Sequence, residues 1–425
     1  VKNQNSPLFC EGCWALAAAS SLSDRIKIQR KAAWPDIIIS PQVLLACDSN
    51  SQGCEGGDPI SAYEYIYNRN ITDETCAIYR ARGFTNGFKC SNTTICKDCD
   101  NAKCKVPEDY NIYSINEYGT VSGEEHMKNE IYQRGPITCG IAITKELFEF
   151  KEGIFEDITG ELDVKHEVSV VGYGEDVEEN GDLTKWWLIR GNWGVYWGDN
   201  GFIKIIRGKN NLNIESRCSW AVPKDTWTEN VKHVTTEEEK NDPNNETREE
   251  DDQVGFLGKT DKGKEKAQKF KKSEDLKWKE ISARAERMFR EEIQGRPFTL
   301  LDEEYYSESP LEYIPSNSLP ENFDWRNLDG KNYCSVNKNQ HIPHYCGSCW
   351  AHATTSALAD RFNILNRIEY GISSAPDVNL SVQSIVYCQN EKGDSCHGGN
   401  ADFTYQFIKK MGVPHDTCLQ YTAND

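Results

Sequence analysis

The sequence predicts an α+β architecture of two dissimilar lobes that starts again, incompletely, near its end. Three observations carry this. The first hundred or so residues are rich in helical patterns, beginning at Cys13. From about Ile112 the pattern changes to short β-branched and aromatic runs punctuated by Gly, and the opening motif returns about 336 residues further on.

Taken in order, Cys13 to about Arg30 reads as a helix with Ala, Leu and Ile on its buried face, and "SPQVLLAC" and "DPISAYEYIYNR" read as further helices. "GPITCGIAI", "GIFEDI", "HEVSVVGYG", "KWWLIRGNWG" and "GFIKIIRG" carry the signature of an antiparallel sheet or barrel. A helical lobe followed by a β lobe creates a cleft between them.

The repeat organises the chain. "CWALAAASSLSDRIKIQRK" from Cys13 returns as "CWAHATTSALADRFNILNR" from Cys349. Cys54 to Gly57 returns as Cys396 to Gly399, and "DETC" as "HDTC". The expected organisation is a first domain over 1–222, an acidic disordered linker over 223–263, a charged helical segment resembling a pro-segment over 264–312, and the N-terminal half of a second domain over 313–425. The first copy lacks the stretch that the second shows as "LPENFDWRNLDGKNYCSV", and the second stops about halfway, so the chain is read as a fragment of a longer tandem.

The 425 residues carry a net charge of −19, which argues against a nucleic-acid partner because phosphate binding calls for a basic face. No run of about 18 apolar residues is present to span a membrane. Seventeen cysteines with sequons at Asn70, Asn92, Asn245 and Asn379 favour an oxidising compartment.

Cys10 and Cys13 stand directly before the first helix, where a pair of cysteines could be a metal clip, a disulfide end or a nucleophile. The positive end of a helix macrodipole favours thiolate, so Cys13 is expected to be nucleophilic near neutral pH. His166, which opens a strand of the second lobe, could reach it as acid and base; on residues alone it is equally a core-edge histidine. Gln4 is placed in sequence to offer its amide, with the Cys13 N–H, to an oxyanion.

"NQ…CEGCW", "GCEGG", "HEVSVVGYG" and "WWLIRGNWGVYWGDNGFIKI" resemble the papain-like cysteine peptidases. "NQHIPHYCGSCWAHATTSALADR" and "DSCHGGN" resemble their cathepsin X/Z subgroup, including an insertion between Gln and the first Cys. The resemblance implies the papain-like two-lobed fold, with Cys13 and Cys349 as nucleophiles, Gln4 and Gln340 as oxyanion donors and His166 as the imidazole. It implies substrate binding by Gly56, Gly57 and Trp193, and by Gly398 and Gly399 in the second copy. It also implies pairs Cys10–Cys54, Cys47–Cys90, Cys76–Cys96, Cys99–Cys104, Cys139–Cys218 and Cys346–Cys396, leaving Cys13 alone among the first copy's eleven cysteines. A zinc reading of Cys96, Cys99 and Cys104 needs reduced thiols and a fourth ligand. No metal or cofactor is implied.

By the same resemblance the activity is that of a thiol carboxypeptidase acting on peptides and proteins, open to cystatin-type inhibitors, made as a zymogen, in a lysosomal, phagosomal or secreted setting. The insertion would bar the cleft, and its first residue, His341 in one copy and Asn5 in the other, would meet the substrate's C-terminal carboxylate. Two departures matter. Gly191 stands where the family holds its imidazole-orienting Asn, with Asn192 expected to face the other way, and Glu11-Gly12 replaces Gly-Ser beside the nucleophile. Gly191 motivates one alternative, a pseudo-peptidase with an intact cleft and poor turnover, and a further alternative is a disulfide-rich binding protein without thiol chemistry.

Overall fold

Helix α1 (Cys13–Gln29) is the spine of the first lobe. Nearly every residue of its first half is buried, because its Ala and Ser side chains let neighbours approach on all sides. Helices α2 (Pro41–Cys47) and α3 (Pro59–Arg69) pack on it, each started by a side chain that accepts a first-turn N–H, Ser40 from Val43 and Asp58 from Ile60. Trp14, Leu22, Leu44, Tyr63 and Ile66 make one apolar core. The short helix α4 (Asn92–Ile95) and the hairpin of β1 (Asp98–Cys99) with β2 (Cys104–Lys105) complete the lobe.

This computed structural model describes residues 1–100, 103–177, 181–224, 314, 318–320, 322–371, 377–389 and 395–425, and the backbone of 231–233. The second lobe is a seven-stranded sheet. After the small strand β3 (Asp109–Asn111) come β4 (Ile115–Val121), helix α5 (Glu124–Arg134), β5 (Ile137–Ala142), helix α6 (Lys145–Glu149), β6 (Ile154–Phe155), β7 (Val164–Val177), β8 (Leu183–Arg190), β9 (Phe202–Ile206) and β10 (Cys218–Pro223). Their order in the sheet is β4-β10-β5-β7-β8-β9-β6, antiparallel except for β6 beside β9. Helix α5 went unread in the sequence, since "EEHMKNEIYQR" buries only Met127, Glu130 and Ile131 and shows little apolar period.

The lobes are joined through polar contacts as well as packing. Ser21 and Ser169 hydroxyls lie 2.5 Å apart, and the buried Arg25 donates to the carbonyls of Gly135, Pro136 and Ala221 and to Glu130. A buried guanidinium with four of its five N–H donors answered fixes the helix against the sheet, because leaving such donors unpaired costs more than a surface bond returns.

The expected linker begins in ordered structure: Pro223 closes β10, the Lys224 N–H donates to Ser114, and β11 (Val231–His233) pairs with β3. The rest of 223–263 and the expected helical segment 264–312 lie outside the described residues. Later come α7 (Cys349–Ile364), α8 (Val382–Cys388) and α9 (Ala401–Met411), repeating α1 to α3. The repeat extends to detail. Trp14 and Trp350 donate to the carbonyls of Gly53 and Ser395, and the hydroxyls of Tyr79 and Tyr421 donate to the carbonyls of Gln4 and Gln340.

Cysteines pair as Cys10–Cys54, Cys47–Cys90, Cys76–Cys96, Cys99–Cys104, Cys139–Cys218 and Cys346–Cys396. Cys96, Cys99 and Cys104 are therefore not thiolate ligands. Among the sequons, Asn70 is exposed at the end of α3 and Asn92 is half-buried. Asn379 is half-buried with its Oδ1 shut from solvent, and its Ser381 is fully buried as the α8 cap. Asn245 lies outside the described residues.

Candidate active site

Cys13 is the first residue of α1 and lies outside every disulfide, buried to 8% exposure. Gly12 at the cap offers no side chain to the helix end. The Cys13 sulfur instead receives the N–H groups of Trp14 and of Glu167. Because Glu167 follows His166 on β7, the thiol and the imidazole-bearing strand meet at the joint of the two lobes.

Burial dominates the ionisation there. It pushes the Cys13 thiol up to about 12, with the Glu167 and Glu11 charges adding to the effect and the two N–H groups opposing it. It lowers His166 to about 3. Desolvation of the buried sulfur thus works against the thiolate that the helix end favours, and burial moves both members of the pair towards their neutral forms.

The His166 ring stacks on Trp193 at 4.3 Å and 16°, and Trp193 rests edge-on against Trp197 at 4.9 Å. Its Nε2 is shut from solvent with no partner among the described residues. Asn192 does not supply one. Its amide donates to the Glu167 carbonyl at 2.9 Å and lies 3.5 Å from the Cys13 carbonyl. At Gly191 itself a Cβ would stand 2.5 and 2.8 Å from ring carbons of Trp197. The place of the missing amide is filled by an indole.

Gln4 is held by its backbone, donating its N–H to the Asn192 carbonyl at 2.8 Å, and its buried Oε1 has no partner among the described residues. Gly56 has φ +109° with open space around its Cα, and a Cβ at Gly57 would meet Trp14 at 2.6 Å. At Gly57 only glycine allows the chain this close to the indole beside the nucleophile. Asn5 is exposed, its N–H held by Asn3 at 3.0 Å, and leads a loop with exposed Leu8 and Phe9.

In the second copy Cys349 is exposed at the start of α7, a Cβ at Gly399 would collide with Trp350, and Gly398 has φ +125°. The Gln340 amide is 3.1 Å from the His341 ring, and among the described residues after it there are helices but no strand.

Glu167 went unread as a site residue. Its carboxylate is 4% exposed and 2.5 Å from Arg217, which in turn lies 3.7 Å from Asp58. Burial lifts it to about 7 despite the guanidinium. The signal was present: a Glu inside the apolar run "HEVSVV" is costly unless paired. Trp197 gave no such signal, because its contact with residue 191 exists only in the fold.

Residues 1–222 and 319–425 match the family model described as papain family cysteine protease. Cathepsin Z of Onchocerca volvulus is 40% identical over 229 residues, which are 52% of this chain and 72% of that protein. Cathepsin B-like cysteine proteinase 4 of Caenorhabditis elegans is 30% identical over 247 residues, 53% of this chain and 71% of its own. A solved structure, digestive procathepsin L 3 of Tenebrio molitor larval midgut, aligns at a TM-score of 0.42 and 27% identity over 52% of this chain and 66% of that one. With the family model covering both copies, and a nucleophile helix followed by an imidazole-bearing sheet, this chain belongs to the papain family of cysteine proteases, in the α+β fold of that family.

Proposed function

We propose that residues 1–222 act as a cysteine-type peptidase that removes C-terminal residues from peptides in a lysosomal, phagosomal or secreted setting. The carrying observation is the approach of the Glu167 and Trp14 N–H groups to the Cys13 sulfur, which puts the thiol beside the His166 strand. In the reaction His166 accepts the thiol proton as sulfur attacks the scissile carbonyl. The tetrahedral oxyanion meets the Gln4 amide and the Cys13 N–H, the C–N bond breaks as His166 returns the proton to the amine, and water then hydrolyses the thioester.

The test is titration of the active site with a peptidyl epoxide or vinyl sulfone, read by peptide mapping beside turnover of a peptide substrate. Labelling at Cys13, abolished in Cys13→Ala, together with measurable turnover supports the proposal. No preferential labelling of Cys13 would overturn it and favour a binding protein without thiol chemistry. A second reading, a pseudo-peptidase that binds peptides but turns over poorly, is favoured by the unpartnered His166 Nε2 and the filled space at Gly191. Stoichiometric labelling without turnover identifies it.

The carboxypeptidase part rests on the loop after Gln4. Asn5 offers a substrate carboxylate a neutral amide, whereas a histidine cation offers a charge-assisted hydrogen bond. Because Asn5 is exposed, solvent screens much of that gain. Asn5→His is expected to raise the kcat/KM preference for free-acid over amidated peptides about three- to tenfold below pH 6. An unchanged ratio would remove the loop from carboxylate recognition in this copy.

A further inference from the structure

The described residues of the first copy, 1–224, and those of the second from Trp325 onward belong to one compact unit, so the second copy is seated directly on the first. The seat is specific. Ile342, in the loop after Gln340, is 0% exposed, and the recess it shares with Pro343 is lined from the first copy by Gln42, Ala77, Ile78, Phe88 and Thr94. Ile78 in turn packs into the apolar cluster of Cys346, Trp350 and Val382.

Polar contacts ring this apolar anchor. The Asn339 amide donates to the Thr75 carbonyl at 3.1 Å, His341 lies 3.6 Å from the Asp98 carboxylate, and the Pro343 carbonyl is 3.5 Å from the Cys99 sulfur. Further along, Asn3 donates to the Thr417 carbonyl at 3.1 Å and the Val195 N–H to the Thr417 hydroxyl at 3.2 Å. A desolvated aliphatic anchor inside a polar rim is the arrangement of a specific protein interface, not of two domains brushing past each other.

The two copies differ at the anchor. The first has Ser6 where the second has Ile342, and its loop leaves Leu8 and Phe9 exposed. We infer that the face of the first copy running from Thr75 to Asp98 is a docking site for the second copy, with Ile342–Pro343 as its anchor. The contact is head-to-tail, since the two copies use different surfaces. The inference does not depend on catalysis, and it survives if the cleft proves inactive.

The test uses the whole chain, folded first and then cut at a specific protease site inserted between residues 240 and 310, with the fragments followed by size-exclusion at about 10 µM. Wild-type fragments are expected to co-elute. Ile342→Asp should weaken their association at least about a hundredfold, so that they separate, while Ile342→Val should not. Ile78→Asp, placed on the opposite side, guards against misfolding of the anchor loop. With first-copy folding verified by circular dichroism and thermal denaturation, it too should separate the fragments. Separation of the wild-type fragments, or co-elution in either Asp variant, overturns the inference.

Discussion

Gly191→Asn is expected to leave kcat/KM within about threefold of the parent and to lower stability by about 1–3 kcal/mol, the cost of overpacking a filled core. Comparison with the family pattern alone suggests the opposite, since an amide at 191 would hold the imidazole in its working orientation. The obstacle is Trp197, whose outer ring carbons occupy the position that the new Cβ needs. That indole also supports Trp193, on which His166 stacks, so its displacement disturbs the ring the amide would serve. Trp197→Phe removes the outer carbons and keeps an aromatic edge for Trp193. The double variant Gly191→Asn/Trp197→Phe should therefore gain turnover, about ten- to a thousandfold, the share of general acid–base catalysis that orientation controls. Steady-state kinetics and thermal denaturation of the four proteins in the cycle decide it. A gain in the single variant would show that the indole yields freely, and no gain in the double would show that orientation at Nε2 is not what limits turnover.

The same pair of residues shows how far the sequence was legible. The helix from Cys13, the helices at Pro41 and Pro59, and the strands around His166 and Trp187 follow from periodicity and Gly punctuation, and the structure has them. Gly191 stood out against the family motif, but what fills its place did not, because Trp197 approaches only after β8 and β9 have paired. The desolvation acting on Cys13 was out of reach for a related reason. A helix N-terminus is visible in sequence, whereas the burial that opposes it depends on the sheet lobe closing over the sulfur. Ile342 reads as one apolar residue in a loop, and only the first copy's groove gives it an anchoring role.

Glu167→Gln is expected to make the protein lose about 2 kcal/mol on going from pH 7.5 to pH 5, a loss that these two neighbouring residues spare the parent. The signs follow from the two shifts. His166 titrates at about 3 in the fold against an ordinary 6.5, so the unfolded chain binds its proton first, and stability falls as pH drops from about 6.5 towards 3. Glu167 titrates at about 7 against an ordinary 4.5, so the folded protein binds its proton first, and stability rises as pH drops from about 7 to 4.5. Both side chains are almost fully buried, so each shift counts nearly in full, and over this window each is worth about 2 kcal/mol with opposite sign. Side by side on β7 they cancel, so the buried imidazole adds little net pH dependence over this window. Glutamine keeps the shape and removes only the compensating proton, while the half-exposed Arg217 remains solvated. Denaturant titrations of both proteins at pH 7.5 and pH 5 provide the measurement. Parallel pH dependence in the two would mean that Glu167 stays ionised against Arg217 throughout and does not offset the His166 contribution.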